Sequence, residues 1–272
     1  MEWRNIILRI SVVVTTYNGK MHLEKQLLSL LQQERAPDEV LIFDDGSTDG
    51  TIELVQSFIR KNCLESWQFY VNAKRKGWKQ NFMEGLRKAA GDILFPCDQD
   101  DIWYPKKLAE MTAVMEQHPE IKLLACDYRV LYEPGALKAT VYKKTPAETQ
   151  GLITRYGFTK HFFMNPYPGC TYAVRRDFFD AVKELWFDGS PHDEFLWLMA
   201  AVQDGAWFYN RVLMDYVRYS DNASGVRYKD VALQKENLRY IHKQLCALQS
   251  FAAEHPDAVP VERCKMLAAA QI

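Results

Sequence analysis

Metal-binding and redox side chains are sparse in this 272-residue chain. Its six cysteines (63, 97, 126, 170, 246 and 264) form no C-x-x-C pair, and none of the six histidines is spaced to complete a zinc site. Several cysteines stand inside apolar runs and read as reduced thiols in the core of a cytosolic protein. No apolar run approaches the ~20 residues of a membrane span, and the first residues lack the apolar stretch of a secretion signal. Repeats and low-complexity tracts are missing as well. A net charge of −1 supplies no global field that would gather nucleic acid. What remains is a cytoplasmic globular protein, 48% hydrophobic, of a length that fits one large domain with a C-terminal extension.

Strand and helix patterns alternate through the first hundred residues. Ile6 to Thr15 is a β-branched run, as in a strand buried on both faces. A helix is predicted from His22 to Gln33 with Leu23, Leu27, Leu30 and Leu31 on one face. Glu39–Phe43 (strand), Thr51–Lys61 (helix), Trp67–Val71 (strand), Gln80–Ala90 (helix) and Asp92–Pro96 (strand) follow. Four such alternations with short connections argue for an α/β fold, a parallel sheet covered on both faces. Beyond it the pattern predicts a helix at Pro105–Gln117, strands at Ile121–Asp127 and Gly169–Val174, and a helix at His192–Val202. Extended structure follows at 207–216, then a helix from Tyr228 to Ala253, with 133–160 as an irregular excursion.

Ligands of such sheets bind beyond the carboxyl ends of the strands. Three of those ends are polar: Thr15-Thr-Tyr-Asn18, Asp44-Asp-Gly-Ser47 and Asp98-Gln-Asp-Asp101. The last puts three carboxylates into four positions after a buried strand. They repel one another, which raises their pKa values unless a cation sits among them. Hard oxygen ligands suit Mg²⁺ or Mn²⁺. The alternative is an acidic turn capping the helix that follows.

Taken together, Ser11-Val-Val-Val-Thr-Thr-Tyr-Asn18, Phe43-Asp-Asp-Gly-Ser-Thr-Asp-Gly-Thr51, Cys97-Asp-Gln-Asp-Asp-Ile-Trp103, Gly169-Cys-Thr171 and His192-Asp-Glu194 resemble a family 2 glycosyltransferase of the GT-A fold. Bacterial rhamnosyltransferase-like enzymes of polysaccharide or glycoprotein glycan assembly are the most similar. The resemblance covers roughly residues 8–225 and implies a GT-A-type, Rossmann-like, mostly parallel sheet flanked by helices, with 226–272 as a helical extension. It implies inverting sugar transfer from a UDP- or dTDP-linked donor to an acceptor hydroxyl on a glycan, lipid-linked glycan or glycoprotein. By the same resemblance Thr15, Tyr17 and Asn18 belong to the donor site, Asp45 bonds the nucleobase, and Asp44 shapes the turn. Asp98 lies by the ribose and joins Asp100 at the metal, Mn²⁺ or Mg²⁺. Asp193 is the implied general base; its alternative role is a helix N-cap, and Glu194, one residue along the helix, points about 100° away.

Further candidates accompany these. Lys79, from the Lys74-Arg75-Lys76 and Lys79 charge run, is assigned to the diphosphate, the alternative being a solvated loop. Trp103 is assigned to the acceptor's sugar ring, with Gly169, Thr171 and His192 beside it, while Trp78 is read as core. One departure stands out. Where related enzymes carry a His before Asn-x-Ser-Gly, this chain reads Tyr216-Val-Arg-Tyr-Ser-Asp-Asn-Ala-Ser-Gly225. Arg218 or Tyr219 then takes over the contact with the diphosphate. The 228–253 helix, striped by Leu238, Ile241, Leu245, Leu248 and Phe251, either packs on its own domain or serves self-association or peripheral membrane contact. Three other readings compete: a non-catalytic nucleotide-sugar-binding subunit, a sugar nucleotidyltransferase and an aspartyl phosphatase. The second expects a Gly-rich basic loop after the first strand, and the third an Asp-x-Asp there; the chain has neither.

Overall fold

The structure, a computed structural model, describes residues 7–136, 150–156, 165, 167–219 and 231–270, with the side chains of 231–238 apart. The Asn222–Gly225 part of the divergent stretch, most of the 133–160 excursion, Tyr228 and the Leu238 side chain lie outside these.

A nine-stranded sheet forms the centre, in the order β3-β2-β1-β4-β8-β6-β9-β5, with β7 on β9. β1 (Ile10–Thr16), β2 (Glu39–Asp44), β3 (Trp67–Val71) and β4 (Ile93–Cys97) run parallel. Their crossovers are α1 (Lys20–Leu31), α2 (Thr51–Lys61) and α3 (Trp78–Lys88). All seven residues of β1 are buried, as a β-branched strand covered on both faces requires. Leu23, Leu27 and Leu30 of α1 are buried, but Leu31 is 41% exposed: the helix ends there, and its side chain turns outward.

The second half departs from a plain parallel sheet. β6 (Leu123–Tyr132) and β9 (Ala206–Arg218) are parallel to each other. β8 (Tyr172–Arg175) runs antiparallel between β4 and β6, and β5 (Ile102–Trp103) and β7 (Ile153–Arg155) pair antiparallel with β9. The expected strand at Gly169–Val174 is split. Gly169–Thr171 is a 3₁₀ turn, and the strand begins only at Tyr172. β4 pairs with β8 at Ile93 and Leu94 alone. Pro96, which has no N–H, therefore interrupts no ladder on that side, and the carboxyl end of β4 stands beside the 3₁₀ turn rather than a strand.

The remaining helices are α4 (Lys107–Gln117), α5 (Arg176–Val182), α6 (His192–Val202), α7 (Val231–Glu254) and α8 (Val261–Ala269). α6 is apolar almost all round and is buried from Phe195 to Val202. Leu245, Leu248 and Phe251 of α7 lie in the same core as α6. These three side chains of the α7 stripe are thus covered by the chain itself, which removes them from any partner or membrane surface.

Candidate active site

β1 lies between β2 and β4, so their carboxyl ends meet, and side chains lock the three loops together. Asp44 is wholly buried. It accepts Thr16 Oγ1 at 2.7 Å, Ser47 Oγ at 2.6 Å and the N–H groups of Gly46 and Ser47 at 3.0 and 2.7 Å. These four bonds fix the turn and leave Asp44 facing inward. Asn18 has φ 48°, a left-handed conformation Asn tolerates. It donates its N–H to Ser47 Oγ (2.8 Å) and accepts Thr48 N–H (2.9 Å). Gln99 exchanges hydrogen bonds with the Tyr17 backbone at 2.9 and 3.3 Å, which ties the β4 loop to the β1 loop.

Asp45, 3% exposed, accepts the N–H groups of Lys76 (2.7 Å) and Gly77 (2.8 Å) and the Asn72 amide (3.1 Å). It therefore gathers the loop between β3 and α3. Arg75 of that loop lies over the Tyr17 ring, 3.9 Å from its centroid. Thr15 is buried at the end of β1.

The acidic cluster lies next to these loops. Oxygens of Asp98 and Asp101 and the Cys170 sulfur all come within 4.8 Å of one another. Asp101 is buried. Its Oδ1 accepts Val217 N–H at 3.2 Å, and its Oδ2 has no hydrogen-bond partner among the described residues. Asp100 accepts the Tyr219 hydroxyl and lies within charge range of Arg218 and His22. Burial first, and then the charge of Asp100, pushes the Asp98 carboxyl up to about 7; burial also raises Asp100, and raises Asp101 well above the usual range. Lys107, a fully buried lysine at the start of α4, donates to the Cys170 carbonyl and lies 3.8 Å over the Trp103 ring. An unsatisfied buried carboxylate oxygen among mutually repelling acids fits a hard divalent cation. Asp101 thus joins Asp98 as a residue able to hold it, with Asp100 next in the chain, while the Cys170 thiol, pushed up by burial, stays protonated and is a soft donor that suits such an ion poorly.

Asp193 stands in the first turn of α6. Pro191, not Asp193, occupies the N-cap position. Burial raises the Asp193 carboxyl, and the N–H groups of Glu194 and Gly169 pull it the other way. Its charge also raises Asp98, which puts the two carboxylates in one site. Lys79 donates to the Gly189 carbonyl at 2.6 Å and acts on both Asp193 and Glu194, so it lies on the α6 side of the crevice. His192 is buried, stacked on Phe82 at 4.0 Å and edge-on to Trp78 at 6.0 Å; neither ring nitrogen has a hydrogen-bond partner among the described residues. Burial depresses it to about 3, so it is a neutral imidazole. Gly169 abuts it: a Cβ there would come within 2.5 Å of His192 Nε2 and 3.1 Å of the Asp193 Cβ.

Three assignments change. Trp103 is 2% exposed, packed in the core under Lys107, and offers no face to an acceptor. Thr171 is fully buried and bonds the Pro168 carbonyl at 2.7 Å, so its hydroxyl is spent within the turn. Trp78, read as core, is 42% exposed beside His192. Arg218 is buried beside Asp100, and Tyr219 stacks on His22 at 4.4 Å. His22 of α1 and Lys107 had no motif to mark them, and Cys170 stands inside the Gly169-Cys-Thr171 motif with no role assigned to it there. Each reaches the site only through the packing of its own element.

Residues 11–179 match the family described as Glycosyl transferase family 2. The dTDP-rhamnosyl transferase RfbG of Shigella flexneri is 24% identical over 228 residues, covering 78% of this chain and 73% of RfbG. Several other relatives are matched over less than half of their own length. Among solved structures, residues 1–349 of Staphylococcus aureus TarS in complex with UDP-GlcNAc superpose with a TM-score of 0.67 at 18% identity, covering 91% of this chain and 72% of that one. The mannosyltransferase PcManGT from Pyrobaculum calidifontis, in complex with GDP-Man and Mn²⁺, gives 0.54 at 17%, covering 96% and 79%. The fold shared with these structures is that of the GT-A glycosyltransferases.

Proposed function

The chain belongs to glycosyl transferase family 2, and from that membership we propose that it moves a sugar from a UDP- or dTDP-linked donor to an acceptor hydroxyl on a growing bacterial glycan or glycoprotein, with inversion at the anomeric carbon. One observation carries the reading: Asp193 lies against Gly169, where a Cβ would come 3.1 Å from its own, and the neighbouring Cys170 sulfur is within 4.8 Å of the Asp98 and Asp101 oxygens.

In this reading Asp193 takes the acceptor proton as the acceptor oxygen attacks the anomeric carbon and the bond to the diphosphate oxygen breaks. A carboxyl raised by burial is a better base than a solvated one. Thr15, Tyr17, Asn18 and Asp45 border the nucleoside, and Asp98 borders the ribose. Asp98 and Asp100, with Asp101 beside them, would hold Mn²⁺ or Mg²⁺. When bound, the ion offsets the charge that builds on the departing diphosphate. Arg218 supports the same charge from β9. Lys79 lies nearer Asp193 and Glu194 than the sequence suggested, and its role is to hold the α6 turn. Gly169 and His192 form the acceptor wall. Residues 1–225 make the transferring unit and 226–272 an extension to it. A cytoplasmic site of action, where nucleotide sugars are made, goes with this function; no described helix is long and apolar enough to cross a membrane.

The test is Asp193→Asn. Turnover of a donor panel of UDP- and dTDP-sugars should fall by ~10²-fold or more, the scale of losing a general base, with UDP affinity unchanged by calorimetry. A matching loss of UDP affinity takes Asp193 out of that role. Unchanged turnover ends the base assignment.

A further inference from the structure

The first turn of α6 is held by the C-terminal extension, from a helix beyond the residues that match the family. Tyr240 of α7 donates its hydroxyl proton to Glu194 Oε2 at 2.6 Å. One turn on, Gln244 Nε2 donates to the Tyr240 hydroxyl at 2.7 Å and to Ser190 Oγ at 2.9 Å. Gln244 and Ser190 are buried, 1% and 0% exposed. Phe187 packs against the Tyr240 ring at 5.9 Å. Two neighbouring side chains of α7 therefore grip both ends of the Ser190–Glu194 segment, and Asp193 lies inside it. On the other side the bare Cα of Gly169 presses against His192 and Asp193, with no room for a methyl group. Beneath the segment, Leu245, Leu248 and Phe251 seat α7 in the same core as α6.

Apolar packing alone would suffice to dock α7. The polar pair, Gln244 buried and Tyr240 half-buried, does something more particular, because both of its bonds end on the turn that carries Asp193. Hydrogen bonds between shielded groups fix orientation as well as contact. We propose that Tyr240 is a positioning residue for sugar transfer: through Glu194 it fixes the α6 turn so that Asp193 meets the acceptor hydroxyl. This rests on the reading of Asp193 as base. Misplacing a reacting group by about 1 Å costs up to 10²-fold in rate, so a clamp outside the nucleotide site can govern turnover without touching donor or acceptor.

Tyr240→Phe keeps the ring and removes the one hydroxyl. Donor hydrolysis in the full-length chain, with water as acceptor and UDP-GlcNAc and dTDP-rhamnose as probes, gives kcat and KM; calorimetry gives UDP affinity. Tyr240→Phe should lower kcat by ~10-fold, with donor KM and UDP Kd within about twofold of wild type. Glu194→Gln, which keeps an acceptor but weakens the bond, should give a smaller loss. In an Asp193→Asn background Tyr240→Phe should cost nothing further, since a residue acting through the base loses its effect once the base is gone. An undiminished ~10-fold loss in that background, a parallel rise in KM, or an unchanged kcat overturns the proposal. So does a larger loss from Glu194→Gln than from Tyr240→Phe. Asp193→Asn alone at wild-type rates overturns the base reading instead, and wild type that binds UDP but turns over neither donor ends both.

Discussion

Arg75 lies over Tyr17, its guanidinium carbon 3.9 Å from the ring centroid, on a loop whose amides at Lys76 and Gly77 are bonded to Asp45. One short loop therefore covers both residues proposed to receive the nucleobase. A base stacking on Tyr17 has to enter beneath Arg75, which can close over it as a second wall because guanidinium and π-face attract. Arg75→Ala should weaken UDP and dTDP binding about three- to fivefold by calorimetry, corresponding to roughly 0.5–1 kcal/mol of cation–π attraction at an exposed site. Arg75→Lys should recover part of it. Tighter binding in Arg75→Ala would mean that Arg75 occupies the base's place and is only displaced by it.

The acidic cluster makes a pH signature. Burial first and neighbouring carboxylates second push Asp98 up to about 7 and raise Asp101 well above the usual carboxylate range. A carboxyl raised in the folded state holds its proton more firmly folded than unfolded. Its contribution is whole below the unfolded value near 3.9 and is lost as pH climbs through the folded value. His192, depressed to about 3, works the other way, but only below its unfolded value near 6.5. In EDTA, therefore, the melting temperature should fall from pH 6.5 to about 7.5 and level off above the folded value of Asp98. Asp98→Asn should flatten that slope. Mn²⁺ should raise the melting temperature more at pH 8.5 than at 6.5, since protons compete for the same oxygens. A melting temperature in EDTA that rises over this interval refutes the scheme.

By the resemblance of 216–225, Tyr219 stands where a histidine is expected, and its hydroxyl bonds Asp100. Burial and the Asp100 charge raise the phenol, so it stays neutral and a weak ligand. The His22 ring is stacked on it at 4.4 Å. Tyr219→His puts a neutral imidazole lone pair there, and Mn²⁺ affinity, read by electron paramagnetic resonance with UDP present, should tighten by about tenfold. Unchanged or weaker binding would show that Tyr219 does not stand at the ion.

Much of this was visible before any coordinates. Thr51–Lys61 and Trp67–Val71 form as their patterns predict, and the three polar strand ends meet because successive parallel strands bring their carboxyl ends to one edge. The two tryptophans came out reversed. Trp103 follows the acidic motif and Trp78 a basic loop, and nothing in either neighbourhood tells which ring the sheet will cover. Lys107 looks like an ordinary helix-surface lysine, yet it is buried because α4 lays it against the Gly169–Thr171 turn.

Periodicity and strand-end chemistry are local properties, and the sequence alone determined them: a sheet with carboxylates at its carboxyl edge, and the family those motifs resemble. The partners of the carboxylates were decided by tertiary packing. Cys170 beside Asp101, His22 against Tyr219 and Tyr240 on Glu194 each join residues at least 46 positions apart. No pattern along the chain encodes such meetings, because they follow from how helices seat on the sheet and not from any repeat within them.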